Sequence, residues 1–186
     1  MELASIAASG TPQIIENGQT GIAYGSSSGS LDAILDFYCM MKKNVVQGIS
    51  TTTMEKVLSI TLEDANLTAD KIGYINAHGT STDHVDIAES QATYNIFGSK
   101  VPISSQKSYI GHTLGDCGAI EAMISISMMN NNWYAPTINL DNVDSKCAAL
   151  DYITGDGREM KNENVMSNNF AFGGINTPLI FKKWAN

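Results

Sequence analysis

Tyr74-Ile-Asn-Ala-His78-Gly-Thr-Ser-Thr82 is a short apolar strand followed directly by a polar turn. A second stretch has the same plan: Ile103-Ser-Ser-Gln-Lys107-Ser-Tyr-Ile-Gly-His112-Thr-Leu-Gly115 runs from a β-type segment into a loop and then a helix. In open α/β sheets, ligands bind at the carboxyl ends of the strands. We therefore expect the two turns to meet at one site, with the side chains of His78 and His112 facing one cavity.

The rest of the chain alternates between helical and extended patterns. The spacing of apolar residues predicts helices over residues 31–41, 54–65, 86–97 and 118–130, and strands over residues 21–28, 101–105 and 150–154. Two further β-segments flank Gly173-Gly174. The helix at 118–130 is apolar nearly all round, which predicts that it is buried on every side. The alternation predicts a layered α/β fold with a mixed sheet.

The pattern has no clear period around Thr53, and we predict a boundary there, between residues 1–53 and residues 54–186. A chain of 186 residues with 43% hydrophobic content can bury a core. Its formal charge of −8 argues against nucleic acid as a partner, because a phosphate-binding surface needs clustered Lys and Arg.

Sequence features also predict the compartment. No run of about 18 apolar residues is present, and the first residues lack the basic start of a signal peptide, so we expect no membrane segment. The 3 cysteines have no CxxC spacing, which is typical of a reducing compartment. We predict a cytoplasmic location.

His78 and His112 are the strongest candidates for chemistry. A neutral imidazole donates a hydrogen bond, and two imidazoles aimed at one carbonyl oxygen would stabilise an enolate. A single His more often only satisfies the carbonyl groups of a turn, but the pairing favours the functional interpretation. Lys107 lies in the same loop as His112 and is expected to tune its protonation or orientation; the alternative is a solvated surface Lys.

Other polar residues have two interpretations each. Glu121 interrupts an apolar helix, so it is either buried and paired with a cation or turned towards water. The hydroxyls of Thr80 and Thr82 either bind an amide-bearing substrate or only form the turn. Gly173-Gly174 after Phe172 either allows close approach of a substrate to backbone N–H groups or is a plain β-turn.

Five ordered motifs resemble one family. They are Asn76-Ala-His-Gly-Thr-Ser-Thr82, Ser104-Ser-Gln-Lys-Ser-Tyr-Ile-Gly-His-Thr-Leu-Gly115, Gly118-Ala-Ile-Glu-Ala122, Ala135-Pro-Thr-Ile-Asn-Leu-Asp-Asn142 and Ser167-Asn-Asn-Phe-Ala-Phe-Gly-Gly-Ile-Asn176. Together they resemble the C-terminal half of a β-ketoacyl-[acyl-carrier-protein] synthase, a condensing enzyme of fatty-acid and polyketide assembly. The resemblance covers about residues 54–184, and residues 19–41 resemble more weakly part of the N-terminal half. It implies a thiolase-like layered α/β/α fold with a mixed sheet, incomplete relative to the full family fold.

The resemblance also implies roles for residues. In the family an acyl group is carried on a cysteine of the N-terminal half, while two histidines bind the malonyl thioester oxygen during decarboxylative Claisen condensation. The implied catalytic residues are His78, His112, Lys107 and Glu121. Lys107 is implied to support His112, and Glu121 to anchor the site. The implied substrate-binding residues are Thr80, Thr82, Phe170, Phe172, Gly173 and Gly174, with Phe172 as the gate beside the acyl pocket. No cofactor or metal is implied, because acyl carrier protein presents the substrates on its phosphopantetheine arm; the other implied partner is a second ketosynthase subunit, in a homodimer or heterodimer.

The chain also departs from the family pattern. The family's nucleophile turn does not occur: Cys39 lies within a predicted helix, Cys117 replaces a small residue and Cys147 lies in a loop. We expect these three thiols, like His84, to be structural, so that the chain alone would carry no acyl group. Ala171 replaces a Gly beside the Phe172 gate. Two interpretations remain. The chain is either a β-ketoacyl synthase family protein that is not competent alone, or a non-catalytic protein, which would be an accessory subunit like a chain-length factor or a truncated paralogue.

Overall fold

The computed structural model describes residues 50–171 and 176–184. The helices are α1 (Thr51–Asp64), α2 (Asp83–Phe97), the one-turn α3 (Lys107–Ile110) and α4 (Cys117–Asn131). The strands are β1 (Ile75–Asn76), β2 (Pro102–Ser104), β3 (Trp133–Tyr134), β4 (Asp151–Tyr152), β5 (Arg158–Glu159), β6 (Asn164–Ser167) and β7 (Leu179–Lys182). The strand predicted at 21–28 and the helix predicted at 31–41 lie outside the described residues, and the boundary near Thr53 stays a prediction.

One sheet organises the described chain. It has 5 strands in the order β4-β2-β1-β6-β7, so β1 lies at its centre. Strand β1 pairs in parallel with both β2 and β6, and β2 pairs in parallel with β4. Strand β7 returns antiparallel to β6, while β3 and β5 form a separate antiparallel pair. The predicted mixed sheet is confirmed.

The two faces of this sheet are covered by different helices. Successive side chains of a strand point to opposite faces, and accordingly Ile75 and Met166 pack in one hydrophobic cluster while Tyr74 and Val165 pack in another. The first cluster contains residues of α1 and α2, and the second contains residues of α4. The sheet therefore lies between two helical layers, in a layered α/β/α arrangement.

Local contacts fix the first and last residues of the helices. Ser50 caps α1, because its side chain accepts a hydrogen bond from the Thr53 N–H at 3.2 Å. Gly98 ends α2 with a φ of 74°, a conformation that glycine adopts without strain. At the end of α4, the ammonium of Lys183 donates to the carbonyl of Met129 at 3.1 Å and to Asn132 Oδ1 at 2.9 Å. These contacts tie the last strand to the end of α4.

Two features differ from the sequence predictions. Helix α4 is not buried on every side: Met123 is 59% exposed and Ile126 is 37% exposed. An apolar surface all round the helix shows that burial would be favourable, but within the described residues only one face of α4 has a layer packed against it. The short elements α3 and β5 were not predicted, because a single turn or a residue pair is too short to show a period.

Candidate active site

The site begins where three neighbouring strands end. The side chain of Asn76, at the end of β1, accepts a hydrogen bond from the Gln106 N–H at 3.2 Å and donates one to Ser167 Oγ at 3.1 Å. Asn76 is fully buried. It therefore fixes the carboxyl ends of β1, β2 and β6 relative to each other, and the turns that follow β1 and β2 leave from a rigid base.

These turns bring His78 and His112 together, as predicted. Their ring centroids lie 5.5 Å apart with the planes at 90°. The Leu114 N–H donates to His112 Nδ1 at 3.2 Å, which leaves Nε2 to carry the proton of a neutral ring. A hydrogen bond from a ring nitrogen spans about 2.9 Å. Two such bonds together are longer than the 5.5 Å between the centroids, so the distance between the rings allows one oxygen atom to lie within reach of both.

Both imidazoles are held neutral. Burial, followed by the positive charge of Lys107 and the neighbouring His112, lowers the pKa of His78 from 6.5 to about 3. Burial and then Lys107 also lower the pKa of His112. Near pH 7 each ring is therefore a neutral donor, and the charge beside them resides on Lys107.

Lys107 and Glu121 form a buried ion pair. Lys107 Nζ lies 2.5 Å from Glu121 Oε1, and the two side chains are only 4% and 0% exposed. Burial raises the pKa of Glu121, and the charge and hydrogen bond of Lys107 oppose that rise. The predicted buried, paired Glu121 is confirmed. The alternatives of a water-facing Glu121 and a solvated Lys107 are wrong, because the carboxylate that α4 carries lies against the loop after β2.

Thr80 and Thr82 lie at the mouth of the site. Their hydroxyl oxygens are 2.9 Å apart, and both residues line a cavity of about 530 Å³ together with Lys107 and His112. His78 does not line this cavity. His78 is 5% exposed, and its ring lies 5.5 Å from that of His112, which does line the cavity. That both rings face one cavity stays a prediction.

Phe170 packs beside the histidine pair. It is 2% exposed, and its ring lies 6.1 Å from that of His78 at 83°. Phe172, Gly173 and Gly174 lie outside the described residues, so the predictions about the gate and the glycine turn stay predictions.

The two thiols that the structure describes are free. Burial raises the pKa of Cys117 and of Cys147, which leaves less of the reactive thiolate near pH 7. His84 is exposed. Cys39 lies outside the described residues. The pKa directions agree with the expectation that neither described thiol is a nucleophile.

Glu89 is one of two residues at the site that the sequence did not predict. Its carboxylate accepts the N–H of His78 and the N–H of Gly79, each at 2.9 Å, and the side-chain amide of Asn168 at 3.1 Å. Glu89 is 3% exposed, and burial raises its pKa. A signal was present: Glu89 follows Val85 and precedes Ala92 at helical spacing, which places a carboxylate on the apolar face of α2.

Asn169 was also missed. Its amide donates to Glu121 Oε2 at 3.2 Å and accepts from the Cys117 thiol at 3.0 Å. No spacing in the sequence indicates these contacts, because they join the end of β6 to the first turn of α4. The consecutive residues Asn168 and Asn169 thus each hold one of the two buried carboxylates of the site.

No helix in the part of the chain that the structure describes has the length and apolar character needed to cross a membrane.

Comparison with known proteins then shows what the chain is similar to. A family model described as "Beta-ketoacyl synthase, C-terminal domain" matches residues 33–141. The 3-oxoacyl-[acyl-carrier-protein] synthase 2 of Coxiella burnetii is 41% identical over 151 residues, which are 80% of this chain and 35% of the relative.

Solved structures give the same result. A β-ketoacyl synthase from Burkholderia phymatum superposes with a TM-score of 0.72 and 60% identity, over 73% of this chain and 33% of that one. The ishigamide ketosynthase/chain length factor superposes with a TM-score of 0.70 and 28% identity, over 73% of this chain and 34% of that one. The chain spans about a third of the length of these relatives.

Proposed function

Because the chain belongs to the β-ketoacyl synthase family, whose C-terminal domain it matches, we propose that it supplies the histidine side of a site for decarboxylative condensation. The fold that the family implies is the one observed, a thiolase-like α/β/α arrangement. The observation that supports the proposal is the neutral histidine pair, with ring centroids 5.5 Å apart beside the buried Lys107–Glu121 pair.

The proposed step is the loss of carbon dioxide from a malonyl thioester. The bond between the carboxylate carbon and the α-carbon breaks, its electron pair moves onto the α-carbon and the thioester oxygen, and carbon dioxide leaves. His78 and His112 donate hydrogen bonds to the oxygen as its negative charge develops. Donors fixed in advance in a water-poor site stabilise such a charge more than water does.

The condensation step needs an acyl acceptor as well. The enolate carbon attacks the carbonyl carbon of an acyl thioester, a carbon–carbon bond forms, and the thiolate leaves. Acyl transfer to a protein requires an activated nucleophile, and burial raises the pKa of Cys117 and Cys147. We therefore propose that this chain alone does not condense, and that its substrates arrive on acyl carrier protein, with Thr80 and Thr82 at the cavity mouth binding the pantetheine arm.

The test is carbon dioxide release from malonyl-[acyl-carrier protein] by the wild-type chain and by the His78→Ala and His112→Ala variants. Loss of one preorganised donor is expected to reduce the rate on the order of a hundredfold. His84→Ala is the matched control, because His84 is exposed and outside the site. Equal rates in the wild type and in both site variants would contradict the proposal.

A second candidate is a non-catalytic subunit that pairs with an intact synthase. It is supported by the similarity to a solved ketosynthase/chain length factor at 28% identity. Under this alternative, both histidine variants would support a partner synthase as well as the wild type does. Under the catalytic proposal, the variants would differ from the wild type in the same mixture.

A further inference from the structure

We propose that Asn169 is a positioning residue for the Lys107–Glu121 ion pair, and that the Cys117 thiol fixes the orientation of its amide. The catalytic meaning of this proposal rests on the proposed function, but the contacts themselves do not. Asn169 lies just after β6, and Cys117 is the first residue of α4. The contact between Asn169 and Cys117 therefore joins the sheet to the helix that carries Glu121.

The two hydrogen bonds of the amide allow only one orientation. Asn169 Nδ2 donates to Glu121 Oε2 at 3.2 Å, and Asn169 Oδ1 accepts from Cys117 Sγ at 3.0 Å. A rotation of the amide by half a turn would place its oxygen against the carboxylate and its NH₂ against the thiol. The carboxylate accepts only, so this orientation would lose the bond to Glu121. The thiol donor therefore favours the orientation that serves the carboxylate.

This orientation decides which oxygen of Glu121 is available to Lys107. Oε2 is held by Asn169, and Oε1 receives the Lys107 ammonium. Both the hydrogen bond from Asn169 and the charge of Lys107 lower the pKa of Glu121 against the effect of burial. A carboxylate held at both oxygens cannot rotate, so the ammonium keeps one position beside the histidine pair.

The position of that ammonium matters because its charge lowers the pKa of both His78 and His112. Asn169 also lies near the His78 ring, where it opposes the lowering of that pKa. The backbone of Asn169 is held as well, since its carbonyl accepts the Thr177 N–H at 2.8 Å. A movement of this one amide would therefore change the electrostatics of both histidines.

The amide lies beside the first turn of α4. A Cβ built on Gly118 would lie at ordinary van der Waals distance from it, 3.4 Å from Asn169 Nδ2 and 3.6 Å from its Cγ. The neighbouring Cys117 occupies a position where the family resemblance leads one to expect a small residue. Cys117 here acts through its S–H as a hydrogen-bond donor, with its pKa raised by burial.

The experiment uses the full chain and three variants: Asn169→Ala, Cys117→Ala and Cys117→Ser. The first readout needs no activity: the apparent pKa of the Glu121 carboxyl, measured by ¹³C NMR of selectively labelled protein and assigned with Glu121→Gln. We expect Asn169→Ala to raise this pKa and Cys117→Ala to raise it less. Cys117→Ser keeps a donor and should restore the wild-type value.

The second readout is carbon dioxide release from malonyl-[acyl-carrier protein]. Asn169→Ala should lower kcat about tenfold with KM nearly unchanged, which is the size of effect expected for one lost hydrogen bond to a charged group. If Asn169 had only a structural role, Asn169→Ala would lower the melting temperature without lowering kcat at a constant KM. Cys117→Ser would then also fail to restore the Glu121 pKa that Cys117→Ala changes. An unchanged Glu121 pKa in Asn169→Ala, or equal values for Cys117→Ala and Cys117→Ser, would overturn the proposal.

The two readouts separate this proposal from the proposed function. If the wild-type chain releases no carbon dioxide above background while the Glu121 pKa responds as expected, the proposed function fails and the positioning claim stands. If carbon dioxide release is present and sensitive to His78→Ala, but the Glu121 pKa does not respond to Asn169→Ala, the positioning claim alone fails.

Discussion

His78 is the residue at which burial and chemistry conflict most directly. Its ring is 5% exposed, and burial with the nearby positive charge of Lys107 lowers its pKa to about 3. In the unfolded chain the ring titrates near 6.5. The folded state therefore resists a proton that the unfolded state accepts, and acid should destabilise the fold through this residue.

The sign of the effect follows from the proton count. Between about pH 6.5 and pH 3 the unfolded state binds more protons at His78 than the folded state, so stability falls as pH falls. We predict that the wild type loses about 2 kcal/mol more unfolding free energy than His78→Gln between about pH 7.5 and pH 5. Urea unfolding at both pH values measures this difference. Glu89 and Glu121, whose pKa values are raised, contribute equally to the pH dependence of both proteins, so their contributions cancel. An equal change in the unfolding free energies of the two proteins between these pH values would contradict a neutral, buried His78.

Glu89 holds the backbone of the turn that carries His78. Its carboxylate is the hydrogen-bond partner of the N–H groups of His78 and Gly79. We predict that Glu89→Ala lowers the unfolding free energy by about 3 kcal/mol or more, because the buried N–H of His78 and the partly buried N–H of Gly79 both lose their acceptor. Glu63→Ala, at an exposed position of α1, should cost less than about 0.5 kcal/mol.

Backbone amide NMR makes the Glu89 test specific to the turn. The His78 and Gly79 amide protons should move upfield and exchange faster in Glu89→Ala, while amides of the Glu121 turn should change little. An unfolding free energy equal to that of Glu63→Ala, with unchanged His78 and Gly79 amide shifts, would show that the carboxylate does not hold this turn.

At the level of elements, α4 is the informative case. Met128 packs under the sheet and is 6% exposed, whereas Met123 is 59% exposed on the same helix. We predict that Met123→Glu changes the unfolding free energy by less than about 0.5 kcal/mol, since the new charge stays in water. Met128→Glu should cost about 3 kcal/mol or more, because it buries an unpaired carboxylate. Similar losses in the two variants would mean that the outer face of α4 is covered.

The same helix shows what sequence patterns can and cannot predict. The helical spacing predicts its position well, since Ile120, Ile124 and Met128 recur at helical intervals. A helix that is apolar on both faces carries no signal for which face the fold covers, and the exposure of Met123 could not be predicted. Strand β5 was missed because Arg158 and Glu159 are polar and too few to alternate.

The residues of the site also differ in whether the sequence predicts them. His78 and His112 follow strand ends and Lys107 lies in the loop of His112, so their positions predicted their proximity. Only the family resemblance assigns Glu121 to the site, because its own position leaves a buried and a water-facing side chain open. Glu89 and Asn169 act through partners that are distant in the chain, such as the His78 N–H and the Cys117 thiol. Those partners are set by strand order, which local periodicity does not contain.

For the whole molecule, the main fact is that the chain spans about a third of the length of its relatives. We predict that malonyl decarboxylation by this chain increases when an intact synthase is added whose own paired histidines have been replaced, because a second subunit would help to exclude water from the site. The measurement is carbon dioxide release from the mixture, with His112→Ala in place of the wild type as the control. A rate in the mixture that is indifferent to His112→Ala would favour the accessory alternative.

We propose that two neutral imidazoles, those of His78 and His112, bind one thioester oxygen. Side-chain ¹⁵N NMR of histidine-labelled protein tests it most directly, with assignments from His78→Ala, His84→Ala and His112→Ala and with a malonyl pantetheine analogue that cannot lose carbon dioxide. We predict that His78 and His112 are both neutral near pH 7, with a proton available on Nε2 of His112. Both rings should shift together, with one apparent Kd, as the analogue is added, while His84 should not shift. A protonated ring at that pH, or a shift of only one of the two rings at saturation, would contradict it.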